Sequence, residues 1–177
     1  MIVKDRKFKS FIPKEAIANR VQELGTQICA DYADKNPLFV VVLNGAFMFA
    51  ADLMRKVVIP SQMTFVKFTS YQSMESTGKV DELIGFQEDL MGRHIVIIED
   101  VVDTGITVSE IMAEINKFYP ASVEIIALLY KPTAVKRPVN IRYSGFAIEN
   151  KFVVGYGLDY DGFGRNLEDI FILDESV

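Results

Sequence analysis

Ile95-Val96-Ile97-Ile98-Glu99-Asp100-Val101-Val102-Asp103-Thr104-Gly105-Ile106-Thr107 changes character in its middle. Four consecutive β-branched apolar residues read as a buried parallel strand, because a strand covered on both faces needs no polar alternation. The run ends in acid. Glu99 and Asp100 fall where the carboxyl end of such a strand meets solvent, the edge at which open α/β sheets place their ligands. Asp103 to Thr107 forms a tight polar turn that feeds Val108, Ile111, Met112, Ile115 and Phe118, spaced as one helical face. Thr107 and Glu110 have capping-box spacing. The turn brings free backbone N–H groups, small side chains and a helix N-terminus to one point, a combination suited to holding a phosphate.

Working outward, two other apolar runs end the same way. Leu38 to Leu43 reads as a second buried strand and runs into Asn44-Gly45, followed by the apolar stretch Ala46 to Leu53, expected to be a buried helix. Asn44-Gly45 is either a simple turn or a place where backbone approaches a ligand. Val123 to Leu129 is the third such strand, and Tyr130-Lys131-Pro132 leaves a lysine at its edge. That lysine is either solvated or a donor to a ligand carbonyl. Upstream, Pro13 suits a helix start, and Ile17, Val21, Leu24 and Ile28 form one narrow apolar stripe. Gln62 to Tyr71 supports another strand. The hydroxyl-rich stretch Ser70 to Lys79 is expected to be a mobile loop, either padding or an active-site lid. Gly145 to Ile148, Phe152 to Gly157 and Ile170 to Leu173 are short strands, with the polar turn Asp159 to Gly162 and Arg165 between them.

The 177 residues, half of them apolar, fit one domain (1–177) with a sizeable core. A net charge of −5 argues against nucleic acid as a partner, since phosphate neutralisation calls for a basic face. Met1 to Lys9 is charged, so no signal peptide is expected, and no apolar run reaches the ~20 residues of a membrane span. With one cysteine, Cys29, and one histidine, His94, a disulfide framework, a cysteine-based metal site and a multi-histidine site are excluded, and a cytoplasmic location is expected. From the residues alone, the reading is an α/β protein that binds a phosphorylated ligand with Mg²⁺.

Val96 to Gly105 resembles the phosphoribosyl-diphosphate-binding motif of type I phosphoribosyltransferases. Leu43-Asn44-Gly45-Ala46, Ser70-Tyr71 with Ser76-Thr77-Gly78, Lys131, and Lys151 to Tyr160 with Arg165 narrow the likeness to the hypoxanthine-guanine phosphoribosyltransferases, from about Phe11 to Leu173. The resemblance implies a mostly parallel twisted sheet flanked by helices, a small hood built from the N-terminal segment and roughly 145–177, and a mobile active-site loop. It implies transfer of the phosphoribosyl group to hypoxanthine and guanine, with Mg²⁺ as cofactor and a homodimer or homotetramer as assembly. A xanthine-preferring enzyme and a regulatory RNA- or nucleotide-binding protein on the same fold are the alternatives.

Carried residue by residue, the resemblance gives Glu99 and Asp100 to the ribose hydroxyls, directly or through Mg²⁺. Asp103, Thr104, Gly105 and Thr107 would wrap the 5-phosphate, while Asn44, Gly45 and Arg165 would meet the pyrophosphate. Phe152 would stack on the purine, the Val153 backbone would read its edge, and Lys131 would donate to the exocyclic oxygen. Ser70 and Tyr71 would close over the substrates. Asp159 would bind a second Mg²⁺, and Asp103 would be the general base near purine N7. Two positions depart from the pattern: Ile106 stands where some relatives carry lysine, and Asn44 where relatives often carry lysine or arginine. The family's contact at Asn44 is made by backbone, through a cis peptide expected at Leu43-Asn44.

Overall fold

The computed structural model describes residues 1–69 and 81–174. The expected lid from Ser70 onward, including Ser70 and Tyr71, lies outside the described residues.

The main sheet contains β3 (Leu38–Val42), β4 (Gln62–Thr69), β5 (Asp81–Ile84), β6 (His94–Val102), β7 (Ser122–Tyr130) and β8 (Tyr143–Ala147). Its order is β5-β4-β3-β6-β7-β8. β4, β3, β6, β7 and β8 run parallel, and only β5 pairs antiparallel, on β4. The apolar runs behave as expected of strands covered on both faces. Phe39, Val41, Val96, Ile98, Ile126 and Leu128 point into one core layer with α1 (Lys14–Asp31) and α2 (Phe47–Met54). Their alternates Leu38, Val40, Ile95, Ile97, Ile125 and Ala127 point into a second layer with α3 (Ile106–Asn116). The pleat sends successive side chains to opposite faces, so a continuous apolar strand fills two cores at once.

α1 begins after Pro13, whose extended backbone suits a helix entry, and buries the stripe Ile17, Val21, Leu24 and Ile28. A second sheet, ordered β1-β2-β10-β9, is built from both ends of the described chain. It contains β1 (Ile2–Val3), β2 (Arg6–Ile12), β9 (Val153–Val154) and β10 (Ile170–Leu173), all antiparallel. Ile12, Val153 and Ile170 also enter the first core layer, which ties this sheet to the main one.

The short strand expected over Gly145 to Ile148 falls on β8 of the main sheet. Three local expectations need correction. The strand expected over Phe152 to Gly157 shrinks to Val153–Val154, because Gly155, Tyr156 and Gly157 all take positive φ and turn the chain away. Thr107 and Glu110 make no capping box: α3 starts at Ile106, its N-cap is Gly105 in the left-handed region, and no side chain caps it. Phe118 lies beyond the end of α3, half exposed, with its ring edge-on to Phe86 at 6.4 Å.

Candidate active site

The carboxyl ends of β3 and β6 and the returning segment after β9 converge on three glycines. A side chain at Gly45 would run into the Asp100 carboxylate, and one at Gly157 would run into the Gly45 carbonyl. Backbone and carboxylate are therefore packed as closely as glycine allows. The Leu43-Asn44 peptide is cis, as the resemblance implies, and leaves Asn44 exposed at this edge. Gly105, at φ +77, is the third close approach: its missing side chain is replaced by the Arg137 carbonyl. A cavity of about 80 Å³ lies over this turn, lined among others by Glu99, Asp103, Thr104, Gly105 and Thr107. The uncapped first turn of α3, with Thr107 exposed on it, leaves N–H groups free to receive an anion there.

The electrostatics differ from group to group. Glu99 is buried, at 6% exposure, and desolvation together with the neighbouring Asp100 pushes its carboxyl well above the usual range. The Asp100 N–H donates to Glu99, which offsets a part of this. Asp100 is pushed up to about 6 chiefly by desolvation, against hydrogen bonds from the Val101 and Asp100 backbone N–H groups and the field of Arg165. Two adjacent carboxylates with so little cationic compensation suit a divalent cation. Mg²⁺ characteristically takes one or two carboxylates and completes its shell with water and substrate oxygens. Asp159 is held differently: Arg165 Nη2 lies 2.6 Å from its Oδ1, and the Gly162 N–H donates to Oδ2 at 2.7 Å. Among the described residues no three His, Cys, Asp or Glu side chains converge to hold a metal, so Glu99, Asp100 and Asp159 do not form a ready-made cage.

Lys131 is not a solvated strand-end lysine. It is 7% exposed, and Nζ donates to Asp103 Oδ2 at 2.9 Å. Its backbone N–H bonds the Val102 carbonyl at 3.0 Å, which fixes the β7 end against β6. Phe152 is half exposed and sits in a three-ring group with Phe8 (6.3 Å) and Tyr160 (5.8 Å). Val153 is buried beside it in β9. Arg165 is oriented by the Gly157 carbonyl, to which Nη1 donates at 2.7 Å.

The sequence reading missed the segment after Lys131. Lys136 and Arg137 N–H groups both donate to the Thr104 carbonyl, at 2.9 and 3.0 Å, and brace the turn from behind. Irregular backbone contacts of this kind have no periodicity or motif, so no pattern in residues 132–139 could have pointed to them.

The model of the phosphoribosyl transferase domain matches residues 10–161. A hypoxanthine-guanine phosphoribosyltransferase of Mycobacterium bovis is 42% identical over 170 residues, covering 92% of this chain and 84% of that protein. A hypoxanthine-guanine-xanthine phosphoribosyltransferase of Tritrichomonas foetus is 34% identical, covering 93% and 90%. The crystal structure of a hypoxanthine phosphoribosyltransferase from Staphylococcus aureus superposes with a TM-score of 0.90 at 35% identity, covering 94% of this chain and 91% of that one. Sequence, fold and the glycine-lined edge agree, and the chain belongs to the hypoxanthine-guanine phosphoribosyltransferases.

Proposed function

We propose that this protein is a purine-salvage enzyme that joins hypoxanthine, and guanine, to phosphoribosyl diphosphate, forming the nucleoside monophosphate and pyrophosphate. The observation that carries this reading is the pairing of buried Lys131 with Asp103 beside the phosphate-sized cavity. Lys131 supplies donors only, so it suits a C6 carbonyl oxygen and opposes an amino group. Asp103 supplies an acceptor for the proton that leaves purine N7 as N9 bonds to the sugar carbon. Thr104, Gly105 and Thr107 hold the 5-phosphate. Asn44, Gly45 and Arg165 face the departing pyrophosphate, with Arg165 presenting a fork suited to phosphate oxygens. Phe152 and the Val153 backbone receive the purine.

Mg²⁺, when bound, would neutralise charge developing on the pyrophosphate. Glu99 and Asp100 are the residues that would hold it, with Asp159 contributing to a second ion once Arg165 turns to the pyrophosphate. The working unit is one domain in which the second sheet acts as the hood, assembled as a homodimer or homotetramer in the cytoplasm. Among the described residues no helix is long and apolar enough to cross a membrane.

The test is a spectrophotometric assay of nucleotide formation with Mg²⁺ and phosphoribosyl diphosphate. Hypoxanthine and guanine should be consumed and adenine left. Absence of turnover with every 6-oxopurine would overturn the reading.

A further inference from the structure

The segment between β7 and β8 lies flush against the turn that would hold the 5-phosphate. Its Lys136 and Arg137 N–H groups share the Thr104 carbonyl, and its Arg137 carbonyl occupies the space a side chain at Gly105 would need. The Arg137 side chain continues along the same surface. Nη1 donates to Ser109 Oγ at 3.0 Å, and Ser109 Oγ in turn donates to the Ile106 carbonyl at 2.7 Å. Glu110 sits 3.8 Å from the same guanidinium. Ile106, Ser109 and Glu110 all belong to the opening of α3, the stretch that no side-chain cap steadies. A further side-chain bond here, from the Ile106 N–H to Thr104 Oγ, is long at 3.4 Å.

We propose that Arg137 is a positioning residue for the phosphate-binding turn: acting through Ser109, it fixes the first turn of α3 so that its N–H groups meet the 5-phosphate in one geometry. This rests on the proposed function, since it assigns a device to that phosphate site. The physical basis is preorganisation. A helix start held by its own backbone alone frays, and ordering it on binding subtracts from affinity. An arginine that bridges two positions of the first turn removes that cost before the ligand arrives. The guanidinium is half exposed, at 53%, so the effect is modest.

The experiment is calorimetric titration of wild type, Arg137→Ala, Ser109→Ala and the double variant with inosine 5′-monophosphate and with inosine. The two ligands differ only in the phosphate, so a general structural defect moves both. Arg137→Ala should weaken the monophosphate about threefold to tenfold and leave inosine unchanged. Ser109→Ala should lose a similar amount, the double variant no more than the larger single loss, and Arg137→Lys should regain part of it. Full affinity of Arg137→Ala for the monophosphate, or equal losses for both ligands, would overturn the inference while leaving the function intact. Failure of the wild type to bind the monophosphate would instead remove the functional reading and the inference with it.

Discussion

The two ends of the main sheet use the same kinds of side chain to opposite effect. At the amino end, Asp31 closes α1 and accepts from the Tyr143 hydroxyl at 2.6 Å and from Arg142 Nη2 at 2.9 Å. Arg142 also reaches Glu124 at 3.4 Å, and His94 Nδ1 meets Ser122 Oγ at 2.8 Å across β6 and β7. The hydrogen bond from Tyr143 and then that from Arg142 hold the Asp31 carboxyl below its usual range. At the carboxyl end, burial pushes Glu99 and Asp100 the other way. Charges that have found protein partners steady the fold. Charges left short of partners at a glycine-lined edge are available to a ligand, at a cost to the free protein.

The sharpest way to break this contrast is at Asp103, which stands between the two regimes with one partner, Lys131, and an open side. Asp103→Asn should keep fold and substrate binding but lower kcat by about 10²–10⁴, because it keeps size and loses basicity. Wild-type turnover would reduce Asp103 to a structural group of the turn.

Next in size is Lys131→Met. The loss of kcat/KM for hypoxanthine should be about fivefold to 150-fold, from the roughly 1–3 kcal/mol attached to a buried unpaired group, and the gap to adenine should narrow. An unchanged ratio between the two purines would refute the assignment to the exocyclic oxygen.

Asp100→Asn should separate stability from activity. Raising a carboxyl from 3.8 to about 6 means the folded state resists the charge, so removing that charge should stabilise the free protein at neutral pH. Partial exposure of Asp100 and the loss of its attraction to Arg165 keep the gain to about 1–2 kcal/mol. The melting temperature should rise while Mg²⁺-dependent turnover falls. A lower melting temperature would place Asp100 with the paired, fold-supporting charges.

The smallest effect is expected at the opposite end. Asp31 has a lowered folded-state pKa, so its contribution is present above the ordinary carboxylate range and is lost as pH falls through that lowered value. Asp31→Asn should cost about 1 kcal/mol at pH 7, screened because the group is well exposed, and nothing once acid has protonated the wild-type carboxylate. Denaturant unfolding of both proteins at pH 7 and at a pH below that lowered value checks the convergence. A deficit that persists in acid would mean that the cost is steric.

By itself the sequence determined the three strands and their polar ends. Runs such as Phe39 to Val42 and Ile95 to Ile98 are apolar at every position, and only burial on both faces accommodates that. It also determined, through the resemblance, which residues gather at the edge, because motif residues are set by chemistry rather than by surroundings. Only the tertiary structure decided how those residues are partnered. It seated Lys131 on Asp103, tied Asp159 to Arg165, put Gly105 rather than Thr107 at the start of α3, and laid Arg137 behind the phosphate turn. Each of these contacts joins elements far apart in the chain or depends on a local φ that no spacing rule encodes.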